Sequence, residues 1–188
     1  MSGEDGGVTD SPAAAGIRNP DLLGIYVNDH LMAATGGIEL VGRMVGTHRG
    51  KPFEPHLEQL LGELREEKTA LLATMKALGI PVRQYKQVAT WLGEKISRLK
   101  LNGRLLSRSP LSDLIEFEFI ATAVLGKRAG FETLREVAEV DDRIDKELLE
   151  RLIRQADQQH EWLSEARRQV AARVFGGRPE PASEVAGG

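Results

Sequence analysis

Apolar residues recur along this chain at spacings of three and four, the period of an α-helix that buries one face. Leu57, Leu60, Leu61, Leu64, Leu71, Leu72, Met75 and Leu78 form one such stripe. Leu149, Leu152, Ile153, Ala156, Leu163, Val170 and Val174 form another. No segment alternates with period two over a useful length, so no sheet is expected. Helix-start and helix-stop residues then bound five segments. Asn19-Pro20-Asp21 offers an N-cap, a first-turn proline and an acid for a helix over about 20–46. A second covers about 54–78 and stops at Gly79 and Pro81. A third covers about 82–101. Ser109-Pro110 opens a fourth over about 110–138, with Gly126 and Gly130 as points where it could kink. Asp141-Asp142 opens a fifth over about 142–175.

Lengths suggest the topology. Four helices are long and the third is shorter, and the tight turn at Gly79–Pro81 reverses the chain after the second. If the third helix travels back along the outside, the fourth must run parallel to the second. The expected fold is all-α: an antiparallel four-helix bundle with a crossover helix. It fills one domain over 18–175, between a disordered tail at 1–17 and another at 176–188, both rich in small and polar residues.

Composition narrows the class. The chain has 41% hydrophobic, 28% charged and only 5% aromatic residues, the profile of a helical globular protein. With no cysteine it has no disulfide, thiolate ligand or cysteine nucleophile, and it suits a reducing compartment. The N-terminus has neither the basic start nor the apolar run of a secretory signal, and no stretch is apolar enough to span a membrane. A cytoplasmic location is the expectation.

Polar residues interrupt the apolar stripes. His30 shares a stripe with Leu23, Gly37 and Met44, and Lys68 stands at the centre of the second helix's stripe beside Glu67. Glu118 falls among Leu111, Leu114, Ile115, Thr122 and Leu125, and Asp157-x-x-His160 lies on the last helix. Helix count and order over residues 19–175, together with that acid-x-x-His pair, resemble the ferritin-like bundle superfamily. The resemblance implies a Glu on the first helix, Glu-x-x-His on the second, Glu on the third bundle helix and Glu-x-x-His on the fourth. It would make Glu118, Asp157 and His160 metal ligands for iron, manganese or zinc. The first half departs from that pattern: Glu39 lies off the stripe, His56 is too near its helix start, and Lys68 occupies the centre. An ammonium beside Glu67 or Glu118 would replace a metal's charge instead of binding one. The expectation is therefore a polar core of His30, Lys68 and Glu67, with no resident cofactor. Residue counts along the helices put His30 level with Lys68, and Glu118 level with His160, roughly 12 Å apart at 1.5 Å per residue. The chain is also similar to a group of bacterial helical proteins, with no assigned function, that carry like versions of Tyr26–Leu31 (YVNDHL) and Lys100–Glu118 (KLNGRLLSRSPLSDLIEFE).

Charge is segregated. Lys95, Arg98, Lys100, Arg104 and Arg108 carry a basic segment without an acid, and an acidic run from Glu132 to Glu147 follows. Such a segment could dock on an anionic polymer or membrane, or pair with the acidic run. Net charge of −3 and the lack of base-stacking aromatics other than Trp91 argue against nucleic acid. No phosphate loop, nucleophile elbow, HExxH or kinase signature appears, so the chain is not read as an enzyme. The function expected from sequence is a non-catalytic helical bundle that associates with itself or with a protein partner. Its alternatives are the degenerate metalloprotein and the docking factor.

Overall fold

The computed structural model describes residues 16–83 and 110–176. Every regular element among them is an α-helix: α1 (Pro20–Thr47), α2 (Glu54–Ala77), α3 (Pro110–Val137) and α4 (Lys146–Phe175). The chain is an all-α helical bundle. The third predicted helix, over 82–101, falls almost wholly outside the described residues, as does the basic segment Lys95–Arg108.

Side-chain neighbours fix the helix directions. Tyr26 meets Thr133, His30 meets Gly130 and Gly37 meets Ile120, so α1 and α3 run antiparallel. The short turn at residues 48–53 makes α1 and α2 antiparallel as well, which leaves α2 parallel to α3, as the crossover argument requires. The packing is closest between α3 and α4, then between α1 and α2. At the end of α2, Gly79 takes a φ of 71° and its N–H reaches the Lys76 carbonyl, while Ile80 N–H reaches Met75. Only glycine adopts that backbone without strain. Buried Asn28 then ties the departing chain to α1. Its side-chain amide donates to the carbonyls of Gly24 and Pro81, and its oxygen accepts from Arg83 N–H at 2.7 Å.

Several local expectations need correction. Asn19 makes no side-chain cap; Pro20 alone starts α1. The last helix starts at Lys146, not near 142, because Asp145 is the residue that caps it, accepting from Leu148 N–H at 2.8 Å. Asp141 instead binds the Arg143 side chain. Gly126 and Gly130 do not break α3. The buried face of α3 is Leu114, Phe117, Ile120, Ala121, Val124, Phe131 and Leu134, whereas Leu125 is 45% exposed. This helix is apolar on more than one side, so spacing alone selected the wrong face. The acidic run is matched locally: Glu132 to Arg128, Glu136 to Arg135 and Glu139 to Lys146.

The core is two clusters. One packs Leu40, Met44, Leu57, Leu60, Phe117, Val124 and Leu163 toward the α1–α2 turn. The other packs Val27, Leu31, Leu71, Met75, Phe131 and Leu149 toward the opposite end. Because Phe117 is fully buried and Leu125 is not, Phe117→Ala should cost about 3–5 kcal/mol of unfolding free energy. Leu125→Ala should cost under about 1 kcal/mol. Urea denaturation checks both, and the reverse order would put the sequence-derived face of α3 inside.

Candidate functional site

Between the two clusters lies a polar layer. Lys127 on α3 places its ammonium 2.5 Å from Glu67 Oε2 on α2, and it also donates to Gln159 Oε1 on α4. The Gln159 amide donates to Glu67 Oε1 at 2.9 Å and to Glu63 Oε2 at 2.7 Å. Each of the three residues sits three positions after one buried apolar residue and four before the next: Leu64-Glu67-Leu71, Val124-Lys127-Phe131 and Ala156-Gln159-Leu163. They occupy core-facing helical positions at one level of the bundle, which is why they meet. Burial pushes the Glu67 carboxyl up and the Lys127 ammonium down, each toward its neutral form; their mutual attraction and hydrogen bonds oppose the shift.

α1 answers this layer with almost no side chain. Its stretch at that level is Ala33, Ala34, Thr35, Gly36 and Gly37. The result is a cavity of about 220 Å³ between α1, α2 and α3. Leu64, Ile120 and Val124 wall it on one side, and Val27, Leu71 and Phe131 on the other. Glu67, Lys68, Lys127 and His30 supply its polar lining. Ala33 and Gly126, both exposed, lie at the rim.

His30 is set by its neighbours. Its ring lies 4.6 Å from that of Tyr26, edge to face, and the Tyr26 hydroxyl donates to Thr133 Oγ1. A Cβ on Gly130 would come within 2.7 Å of the imidazole, so the missing side chain is what lets His30 lie against α3. Burial lowers the His30 pKa, with Asp29 pulling weakly the other way, which favours the neutral ring at pH 7.

The sequence-derived residues divide as follows. His30, Lys68 and Glu67 do line one cavity. The ammonium that neutralises Glu67 is Lys127, however; Lys68 makes no ion pair or hydrogen bond among the described residues. Glu118, Asp157 and His160 are not brought together. Glu118 is exposed, 3.7 Å from Arg167. Asp157 is exposed and held by Arg128 at 2.5 Å. His160 lies beside Ser164. Among the described residues no three His, Asp or Glu side chains converge as a metal site would require. The reason is again the face of α3: Glu118 is one position past the buried Phe117, so it points outward. His48 and His56 do not join either, since His48 packs between Phe53 and Phe117 and His56 stacks on Trp162. Lys127 and Gln159 were not singled out from sequence. Their three-then-four spacing between buried apolar residues was the available signal.

Comparison of the chain with protein-family models, with curated proteins and with solved structures gives no match.

Removing one charge of a buried pair leaves the other uncompensated. Lys127→Met should therefore cost about 3 kcal/mol, whereas Glu67→Leu with Lys127→Met and Gln159→Leu should be neutral or stabilising by about 1–4 kcal/mol. Denaturation of the single and triple variants decides this; equal losses would mean that the layer is a net source of stability. The balance also depends on pH. Glu67 has a folded pKa above its ordinary 4.5, so its contribution is greatest below that value and is lost as pH rises through the folded pKa. The triple variant should gain on wild type between about pH 4.5 and neutrality. A difference that is flat or reversed over that range would contradict the burial cost.

Proposed function

We propose that this bundle is a non-catalytic binding protein that holds a small apolar molecule in the cavity between α1, α2 and α3. The observation that carries the reading is the cavity itself: about 220 Å³ at mid-bundle, walled by aliphatic and aromatic groups. Well-packed interiors leave few voids larger than a water molecule. An apolar cavity of ~150 Å³ already accepts benzene, so this one suits roughly nine heavy atoms. Closing it would need only one or two larger residues among Ala34, Gly37 and Ala123, so the space comes from residue choice, not from the fold. The Glu67, Lys127 and Gln159 groups bond to one another, which supports a binding role over a catalytic one.

No helix among the described residues is long and apolar enough to cross a membrane. A cytoplasmic location suits a chain without cysteine. A homo-oligomer or protein partner is a separate proposal, supported by the apolar surface that Phe119 and Leu125 leave on α3.

A neutral probe tests the reading. 1-Hexanol at a hundred times its dissociation constant should stabilise the wild type by about 2.7 kcal/mol, seen as a rise in Tm of several degrees. Gly126→Leu should abolish the shift, because Gly126 lies at the rim and a Cβ there meets no heavy atom within 4 Å, which leaves room for a leucine to cover the mouth. The variant should itself fold at least as well as the wild type, since glycine inside a helix costs about 0.5–1 kcal/mol relative to alanine. No shift in the wild type, or an equal shift in both proteins, would overturn the proposal.

A further inference from the structure

Lys68 is the polar group of the cavity that the layer leaves unused. It is half-buried on α2, next in sequence to Glu67, and it lines the cavity with Glu67 and Lys127. Lys127 is held within the layer by Glu67 and Gln159, with Glu63 as a second carboxylate beside them, so Lys68 is the ammonium of the lining that the layer does not engage. An ammonium at the edge of an apolar space offers a charged contact to the polar end of a ligand whose tail lies in that space. Among the described residues none pairs with Lys68.

We infer that the cavity takes an amphiphilic anion, a medium-chain carboxylate whose head pairs with Lys68 and whose hydrocarbon tail fills the space against Ala34, Gly37 and Val124. This rests on the cavity reading above and adds the chemistry of the ligand. Charge selects the head: one ammonium at the cavity that no described residue engages matches one singly charged carboxylate, and a dianion would leave negative charge unmatched. Size selects the tail. Space for roughly nine heavy atoms corresponds to a chain of six to eight carbons. Burial of each methylene contributes about 0.8 kcal/mol, so affinity should rise with chain length until the space is full. His30, neutral at pH 7 and fixed by Tyr26 and Gly130, adds a polar edge to the lining without adding charge.

The experiment is a calorimetric comparison of three probes of equal length, sodium octanoate, 1-octanol and octylamine, on the full chain at pH 7 and fixed ionic strength. Octanoate should bind at least tenfold tighter than 1-octanol, and octylamine more weakly than either. Lys68→Gln should remove the octanoate advantage and leave 1-octanol within about twofold, while Gly126→Leu should remove binding of all three. If 1-octanol and octanoate bind alike and Gly126→Leu abolishes both, the cavity reading stands and the carboxylate inference falls. A preference for octylamine, or an octanoate preference that survives Lys68→Gln, overturns the inference in the same way. Octanoate binding that persists in Gly126→Leu assigns it to surface lysines and overturns it too. Should none of the three bind, the cavity reading fails along with the inference. Circular dichroism of each variant separates loss of binding from loss of fold.

Discussion

The pairing of Lys127 with Glu67 and Gln159 is the constraint around which the rest of the bundle is arranged. A lysine and a glutamate at core-facing positions cannot be left without partners, because each buried charge would cost several kcal/mol. Meeting that requirement brings side chains of α2, α3 and α4 to a single level. It also cuts the hydrophobic core in two, with one cluster on either side of the layer. Polar layers of this kind are known to fix register, and here a slip of α2 against α3 by one turn would break the ion pair. Both Glu67 and Lys127 are pushed toward their neutral forms. Burial thus opposes the ion pair while the geometry of the pair ties α2, α3 and α4 to one arrangement.

α1 takes part in the same arrangement by what it lacks. At the level of the layer it offers alanine, glycine and Thr35, whose hydroxyl donates back to the Leu31 carbonyl instead of joining the network. Small residues usually let two helices close up, and at Gly37 this holds: a Cβ there would be in ordinary contact with Ile120. At Gly126 there is nothing within 4 Å. The space that remains adjoins the satisfied groups of the layer and the Lys68 ammonium, which pairs with nothing among the described residues. Apolar walls with a few placed polar groups are the usual make-up of a small-molecule site.

Much of the fold was legible in the chain. Pro20, Gly79 and Pro110 mark helix limits through backbone constraints that tertiary packing cannot override, and the structure keeps them. The parallel course of α2 and α3 followed from the short turns. The face of α3 did not follow, because Leu111–Leu125 is apolar around much of its circumference and several stripes fit the period. That error carried Glu118 inward, where the structure leaves it exposed beside Arg167. Lys127 was hidden for a related reason: it precedes Arg128, and a Lys-Arg pair reads as solvated surface. Gln159 lies between Asp157 and His160, the acid-x-x-His pair that resembles a metal motif. Glu67 and Lys68 show the limit of pattern reading most clearly. Both fit the gap between Leu64 and Leu71, and only the position of the partner cation on α3 decides which is buried.

Diffraction from a crystal of the full chain under xenon pressure is the most direct measurement, since it reads the layer and the space beside it together. The account predicts xenon density against Ala34, Gly37 and Val124, with the Lys127 ammonium seated between Glu67 and Gln159. It would be contradicted by α1 packed flush against α3 with no xenon between them, or by Lys127 turned out to solvent with Glu67 unpaired.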